Sequence, residues 1–313
     1  MTASPAILFV SQADDPLAWR RAIETRLPGI AFHVWPEVGD PAAIVAAMVW
    51  RYPPGGLRRF PNLKLICSLG AGVDHIVSDP DLPQGVKLVR VVDPDLTREM
   101  SEYVLMAVLR YHRQLPEYER LQREGRWRRL AQTPTSERRI GILGLGVLGR
   151  DAGAKLAALG FPVAGWTRRA RAVSDIEVFA GETQLPAFLA ATRILVCLLP
   201  LTPATAGIIN ARTLAQLPSG AFVINAARGG HVVDADLIAA LESGHINGAT
   251  LDVFAPEPLP EDHPYWRHER VTITPHVASL TNPDTAADQI AENIRRHLAG
   301  EKLLNLVDLG AGY

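Results

Sequence analysis

Three side chains in the C-terminal half of the sequence could together carry acid–base chemistry on a bound acid. They are Arg228, Glu257 and His276, and each follows an apolar, strand-like run, at residues 221–225, 249–253 and 271–274. A histidine exchanges a proton near neutral pH, a carboxylate beside it favours the imidazolium and fixes its orientation, and an arginine holds a carboxylate in a planar fork. Each residue alone also fits an ordinary loop or surface position, but the three together predict one catalytic group.

The elements that must position these side chains are parallel strands. In open α/β sheets, ligands bind beyond the carboxyl ends of the strands. We therefore expect the three residues to gather at one edge of a sheet.

A glycine-rich turn between a predicted strand and a predicted helix precedes this group. The apolar run 140–143 leads into Gly144, Gly146 and Gly149, which fit G-x-G-x-x-G, and the Ala- and Leu-rich segment 150–159 is typical of a helix. The glycines permit a tight turn, close approach of a pyrophosphate, and packing of helix on strand. The helix N-terminus then attracts the phosphates. Strand before and helix after favour a dinucleotide site over a turn that only packs.

The residues about 20 positions past these glycines predict which dinucleotide is bound. NAD-binding versions of the motif carry an acidic residue there, which holds the ribose 2′-hydroxyl. The chain has Thr167 at this place, no carboxylate at 165–170, and then Arg168, Arg169 and Arg171. Guanidinium groups bind a 2′-phosphate that a carboxylate would repel. NADP(H) is therefore the predicted cofactor, and a merely solvated arginine-rich loop is the alternative. Hydride transfer to a ketone would leave an alkoxide that needs a proton, which His276 would supply.

The order of predicted elements indicates an α/β protein of two doubly wound parallel-sheet domains. The amphipathic helix after Pro283 comes too late for the second sheet, so we expect it to return to the first domain. We predict a flavodoxin-like substrate-binding (catalytic) domain formed by residues 1–96 plus 281–313. A Rossmann dinucleotide-binding domain would comprise residues 97–280, with a cleft between the two domains.

Some local features carry their own expectations. Thr97 is a plausible N-cap of a helix that runs to Leu109, and Asp234 is a plausible cap of another helix. The polar, arginine-rich region 115–138 is predicted to be a surface arm or linker. Within it, Trp127 either enters the site of a neighbouring subunit or packs on its own arm.

Composition and charge exclude several classes. The chain has 313 residues, 48% hydrophobic and 21% charged, with a formal net charge of −1, which argues against nucleic acid or an anionic membrane as the main partner. The N-terminus lacks the features of a signal peptide, and no apolar run reaches membrane-spanning length. We expect Cys67 and Cys197 to be buried, reduced thiols, which suits a cytoplasmic protein. No Cys/His metal signature is present, and no metal is predicted.

The order of these motifs resembles the D-isomer-specific 2-hydroxyacid dehydrogenase family over essentially the whole chain. Within that family, the sequence is most similar to the glyoxylate/hydroxypyruvate reductase A branch. The segments that carry the family resemblance are Gly144-x-Gly146-x-x-Gly149, Asn225-x-Ala227-Arg228-Gly229, Asp252-Val253-Phe254…Glu257-Pro258 and Thr274-Pro275-His276. The segments that carry the narrower match are Trp50-Arg51-Tyr52-Pro53-Pro54, Gly70-Ala71-Gly72-Val73-Asp74, Trp166-Thr167-Arg168-Arg169, Pro264-Tyr265-Trp266-Arg267-His268 and Gly312-Tyr313.

The resemblance implies a role for each candidate residue. Arg228 would anchor the substrate carboxylate, Glu257 would tune His276, and His276 would be the general acid/base. The backbone N–H groups of Ala71 and Gly72 would also bind the substrate carboxylate, and homodimers would form largely through the dinucleotide domain. The expected cofactor contacts are Gly144, Gly146, Val147, Leu148, Gly149, Thr167, Arg168, Arg169, Leu199, Pro200, Ala226 and Asp252.

The predicted activity is NADPH-dependent reduction of short 2-oxo acids, glyoxylate to glycolate and hydroxypyruvate to D-glycerate. Trp50 either closes a small substrate pocket or belongs to the core. A reductase of bulkier 2-oxo acids is a nearby alternative. A non-catalytic, dinucleotide-sensing interaction protein is an alternative from another class, since fold does not fix function.

Overall fold

The computed structural model describes residues 5–170 and 172–312. Within them the strands are β1 Ala6–Ser11, β2 Ala31–Val34, β3 Ile44–Trp50, β4 Leu65–Ser68, β5 Lys87–Val89, β6 Ile140–Leu143, β7 Val163–Thr167, β8 Glu177–Ala180, β9 Ile194–Cys197, β10 Ala221–Asn225, β11 Ile246–Leu251 and β12 Val271–Ile273. The α-helices are α1 Pro16–Arg26, α2 Asp74–Val77, α3 Pro94–His112, α4 Leu115–Arg123, α5 Val147–Ala158, α6 Leu185–Ala190, α7 Ala211–Leu214, α8 Asp234–Glu242 and α9 Pro283–Ala299.

The chain divides into two compact units. The first unit comprises Met1–Leu96 with Leu280–Tyr313, and the second comprises Thr97–Ser279. The first contains a parallel sheet of order β2-β1-β3-β4-β5. Helix α9 packs on α1 in this unit, and the Arg26 guanidinium binds the Asp288 carboxylate across the pair at 2.5 Å. The roles predicted for the two units stay predictions.

The second unit contains a parallel sheet of order β12-β11-β10-β9-β6-β7-β8. The chain runs outward from β6 to β7 and β8, and then returns to the other side of β6 with β9. The strand order therefore reverses between β6 and β9, which is where open α/β sheets bind ligands. Buried aliphatic side chains cover both faces of this sheet, so β6, β9 and β10 read as unbroken apolar runs rather than alternating ones. The prediction of two doubly wound parallel sheets is confirmed.

Several local predictions need correction. Helix α3 begins at Pro94 rather than after Thr97, because the Asp93 carboxylate accepts hydrogen bonds from the Asp95 and Leu96 N–H groups at 2.7 and 3.0 Å. Asp234 is the first residue of α8 rather than its cap, since its carboxylate accepts the Tyr265 hydroxyl at 3.0 Å instead.

The region predicted to be a surface arm or linker contains a helix, and one strand of the second sheet was not predicted. The region 115–138 contains α4, which buries Leu121, whereas Trp127 is 97% exposed. Strand β8 is short and only partly buried, so it gave little apolar signal.

Both cysteines are free and buried, as predicted. In the described part of the chain, no helix is long and apolar enough to cross a bilayer. Met1–Ser4, Arg171 and Tyr313, which entered the sequence predictions, lie outside the described residues.

Candidate active site

The predicted site residues of the second unit lie after the carboxyl ends of successive strands of one parallel sheet. The glycine turn follows β6, Thr167 ends β7, and Leu199 follows β9. Arg228 follows β10, Asp252 and Glu257 follow β11, and His276 follows β12. Because all these strands run the same way, their carboxyl ends share one edge.

The glycine turn has the geometry that its sequence predicts. Gly144 has φ +99°, and a Cβ there would lie 2.8 Å from the Leu198 carbonyl oxygen. A Cβ on Gly149 would lie 1.9 Å from the Gly144 carbonyl oxygen, so only glycine lets α5 approach the turn. A Cβ on Gly146 would meet nothing within 4 Å, and no side chain caps α5 at this residue. The turn therefore leaves open space at the positive end of α5, directly before Val147 and Leu148.

The loop after β7 begins with two arginines, and no carboxylate occurs at residues 165–170. Thr167 is buried, and its hydroxyl donates to the Arg169 carbonyl at 2.6 Å, which bends the chain away from the strand. Arg168 and Arg169 are exposed. This arrangement suits a phosphate group on the ribose and does not supply the acceptor that a free 2′-hydroxyl would need.

Three more predicted cofactor contacts, Leu199, Pro200 and Ala226, follow the carboxyl ends of β9 and β10 at the same edge. Leu199 and Ala226 are buried beside the ends of β9 and β10. The Pro200 carbonyl accepts the Thr205 hydroxyl at 2.7 Å and lies 3.3 Å from His231 Nε2.

His276 and Glu257 form a direct pair. The Glu257 Oε2 atom lies 2.8 Å from His276 Nδ1, and its other oxygen accepts the Phe254 N–H at 2.9 Å. The Glu257 side chain is 13% exposed and that of His276 is 26% exposed. A carboxylate can only accept here, so Nδ1 carries the proton of this bond and Nε2 is the ring atom through which a substrate would exchange one.

Asp252 holds the backbone on which His276 stands. Its carbonyl accepts the His276 N–H at 2.7 Å, and its two carboxylate oxygens accept the N–H groups of Val277 and Ala278, each at 2.9 Å. His276 has φ +56°, a left-handed conformation that a side chain with Cβ adopts at a cost. Asp252 thus binds three consecutive N–H groups of a strained turn.

The Asp252 carboxylate is 1% exposed. Burial raises the pKa of Asp252 above its usual value, while the hydrogen bonds from Thr274, Val277 and Ala278 oppose that rise. The cofactor contact predicted for Asp252 stays a prediction. In the structure, the contacts that its carboxylate makes are with the His276 loop.

Arg228 stands on a loop that is fixed by buried polar groups. Its carbonyl accepts the Asn225 amide at 2.9 Å and lies 3.1 Å from His231 Nδ1. His231 is fully buried between this carbonyl and that of Pro200. Burial disfavours a charged ring, but the Cys197 thiol and the two carbonyls outweigh burial and raise the pKa of His231.

The Arg228 loop packs tightly against the segment that leads to Glu257. A Cβ on Gly229 would lie 2.0 Å from the carbonyl carbon of Phe254, three residues before Glu257. The structure thus joins Glu257 to His276 directly and places the Arg228 loop against the Glu257 loop.

The other predicted substrate contacts lie in the first unit. The Trp50 ring is 4.5 Å from that of His75, and a Cβ on Gly70 would lie 2.8 Å from the Trp50 ring. Trp50 therefore covers the loop that contains Ala71 and Gly72. The Ser68 hydroxyl donates to the Gly72 carbonyl at 2.8 Å and so helps to fix this loop.

The sequence reasoning missed two features of the site: the role of Asp252 in holding the His276 loop, and the buried His231. A threonine two residues before the histidine and an aspartate at the end of the preceding strand were visible, but only the fold brings them together.

Comparison with known proteins agrees with this geometry. The sequence model for "D-isomer specific 2-hydroxyacid dehydrogenase, NAD binding domain" matches residues 105–278, more than half of the chain. The chain is 45% identical to glyoxylate/hydroxypyruvate reductase A of Serratia proteamaculans and 42% identical to that of Yersinia enterocolitica, each over 98% of this chain and 99% of the relative.

The chain belongs to the D-isomer specific 2-hydroxyacid dehydrogenase family. The predicted family and the prediction of an oxidoreductase are thereby confirmed.

Solved structures of the family agree with the fold. One is a D-isomer specific 2-hydroxyacid dehydrogenase from Xanthobacter autotrophicus Py2 in complex with NADPH and MES, with a TM-score of 0.95, 48% identity, and coverage of 99% of this chain and 100% of that one. Another is an NADPH-dependent glyoxylate/hydroxypyruvate reductase from Sinorhizobium meliloti in complex with NADP and sulfate, with a TM-score of 0.91, 40% identity, and coverage of 98% and 100%.

The close approach at Gly229 generates a test of the site's construction. Gly229→Ala should destabilise the second unit by about 3 kcal/mol or more and abolish most activity, because the methyl group meets backbone rather than a movable side chain. Gly230→Ala is the matched control, since its Cβ would meet only the Leu201 side chain, at 3.1 Å. Thermal unfolding and steady-state rates of the two variants check this, and equal behaviour would contradict it.

Proposed function

We propose that this protein reduces short 2-oxo acids with NADPH, with glyoxylate and hydroxypyruvate as its best substrates. The observation that carries the proposal is the Glu257–His276 pair, 2.8 Å apart, at the edge of a dinucleotide-binding sheet. The curated relatives are named for these two substrates.

NADP(H) is the cofactor, as predicted from the sequence. The relatives from Xanthobacter autotrophicus, Sinorhizobium meliloti and Rhizobium etli were solved with NADPH or NADP. The chain's own residues fit that group, because the turn at Gly146 leaves room for a pyrophosphate at the start of α5. Arg168 and Arg169 replace the acidic residue that would repel a 2′-phosphate.

The residues of the site would then perform the acid–base half of a ketone reduction. NADPH supplies a hydride to the carbonyl carbon when it is bound. His276 gives a proton from Nε2 to the carbonyl oxygen, so that the C=O bond becomes CH–OH and the ring ends neutral. Glu257 stabilises the imidazolium before the transfer and keeps the ring oriented through Nδ1. In the reverse direction, the same Nε2 takes the proton from the hydroxyl group.

Substrate binding follows from charge. In this proposal, Arg228 binds the substrate carboxylate as a bidentate fork, and the N–H groups of Ala71 and Gly72 add hydrogen bonds to it. The rigid loop around the Arg228 carbonyl supports this role, since a fixed backbone lowers the entropy lost on binding.

Homodimerisation and a cytoplasmic location stay predictions. Apolar side chains exposed on α3, Met106 and Leu109, support the former, because a dimer formed through the second unit would cover them.

The catalytic proposal is tested by NADPH oxidation with glyoxylate, hydroxypyruvate, pyruvate and phenylpyruvate. The first two acids should give the highest kcat/KM, and His276→Ala should lower kcat by about 10²- to 10⁴-fold while NADPH binding persists. His33→Gln, in the first unit, is the control and should leave rates unchanged. A wild-type protein that binds NADPH tightly but turns over none of these acids would support the sensing alternative.

The cofactor assignment is tested at the arginine loop. The double variant Arg168→Gln/Arg169→Gln should raise KM for NADPH by about 10- to 100-fold and leave KM for NADH nearly unchanged, because only the former carries the 2′-phosphate. Arg212→Gln, at an exposed arginine on α7, is the control for the loss of a surface arginine away from this loop. A wild-type preference for NADH would contradict the assignment.

Substrate size is tested at Trp50. Trp50→Ala should raise kcat/KM for phenylpyruvate relative to glyoxylate by at least about tenfold, since it removes the ring that covers the Ala71–Gly72 loop. Trp50→Phe keeps an aromatic ring, so its ratio of kcat/KM for the two acids should lie between those of wild type and Trp50→Ala. No gain on larger acids in the alanine variant would place Trp50 in the core instead.

A further inference from the structure

A buried hydrogen-bond chain runs from helix α3 to the loop that bears His276. The Tyr103 hydroxyl lies 2.6 Å from the Thr274 hydroxyl, which donates to the Asp252 carboxylate at 2.6 Å. Tyr103 and Asp252 are both buried. These three residues lie in the second unit, and none of the roles assigned above to catalysis or cofactor binding accounts for Tyr103 or Thr274.

These hydrogen bonds run in one direction, from Tyr103 to Asp252. The carboxylate of Asp252 can only accept, so the Thr274 hydroxyl gives its proton to Asp252 and accepts one from Tyr103. Burial raises the pKa of Tyr103, so the phenol stays neutral and remains a donor. Hydroxyl groups linked in this way polarise one another, so loss of the Tyr103 hydroxyl weakens the hydrogen bond from Thr274 to Asp252.

The receiving end of the chain is the residue that holds His276. Asp252 accepts the N–H groups of residues 276, 277 and 278. The left-handed conformation of His276 persists only while its surroundings fix it. The Asp252 carboxylate holds the two residues that follow His276, so a change in it would disturb the backbone that sets the imidazole against Glu257.

We propose that Tyr103 is a positioning residue for the general acid/base, acting through Thr274 and Asp252 on the backbone of His276. The proposal rests on the function proposed above, because it presumes that His276 transfers the proton. Two carboxylates face this loop, Glu257 at the ring and Asp252 at the backbone, and Tyr103 acts on the second.

The structure supplies a matched control on the same helix. Tyr111, eight residues later on α3, also places its buried hydroxyl against a threonine, Thr250 on β11, at 2.7 Å. In the described hydrogen bonds, Thr250 is not among the donors to Asp252. Tyr111 also hydrogen-bonds Thr272 on β12. Tyr103→Phe and Tyr111→Phe therefore each remove one buried hydroxyl group from the same helix–sheet interface, but only the Tyr103 hydroxyl leads through Thr274 to Asp252.

The experiment compares steady-state rates, pH profiles and thermal unfolding of the two variants. Tyr103→Phe should lower kcat/KM about 5- to 20-fold and move the alkaline limb of its pH profile to lower pH, because a looser Glu257–His276 pair favours the imidazolium less. Tyr111→Phe should lower Tm by the same amount as Tyr103→Phe, but it should change neither kcat/KM nor the alkaline limb of the pH profile. Thr274→Val should lower kcat/KM more than Tyr103→Phe does. Thr274→Ser, which keeps the hydroxyl, should retain a kcat/KM near that of wild type.

A readout that needs no turnover separates this proposal from the proposed function. In protein labelled with ¹⁵N-histidine, Tyr103→Phe should shift the ring-nitrogen signals of His276, and Tyr111→Phe should not. If wild type turns over no acid but this difference appears, the proposed function fails, and what stands is that Tyr103 positions the His276 ring. If the two phenylalanine variants behave alike in rate, pH profile and histidine signals, the positioning role is wrong.

Discussion

The site depends on one buried residue, Asp252, whose main-chain carbonyl and carboxylate together accept three successive backbone N–H groups. Asp252 directly follows β11, and the residues it holds, 276–278, follow the neighbouring strand β12. A charged group with 1% exposure is costly to bury, and the donors around it offset that cost. Without these hydrogen bonds to Asp252, the left-handed backbone of His276 would lose the contacts that stabilise it and set its ring against Glu257. Hydrogen bonds between residues that follow adjacent strands thus hold the Glu257–His276 pair together.

The parallel sheet makes such contacts possible. Residues that are 24 positions apart in the chain, such as Asp252 and His276, become neighbours because β11 and β12 are adjacent and run the same way. The same geometry places Arg228, Glu257 and the glycine turn on one edge. Helices that pack on the sheet add a further layer of control, since α3 reaches the edge through Tyr103 and the sheet through Tyr111.

Much of this architecture could be predicted from the sequence, for identifiable reasons. The buried strands are short apolar runs, and the glycines at 144, 146 and 149 match a backbone geometry that few other residues allow. Arg228, Glu257 and His276 were found because each follows such a strand. The start of α3 was missed because Asp93, rather than Thr97, satisfies its first N–H groups. The role of Asp252 was missed because a hydrogen bond between residues that follow two different strands leaves no local pattern. The hydrogen bonds of Thr274 and Tyr103 went unpredicted for the same reason.

The contact at Gly229 has a consequence for how such a site can diverge. A backbone carbonyl occupies the space where a side chain at 229 would project. The loop that bears Arg228 and the loop that bears Glu257 are therefore packed backbone against backbone. Neither can be remodelled alone without displacing the other. Changes that suit a new acid are therefore easier at residues outside these two loops. Trp50, which ends β3 in the other unit, can vary while the Glu257–His276 pair remains intact.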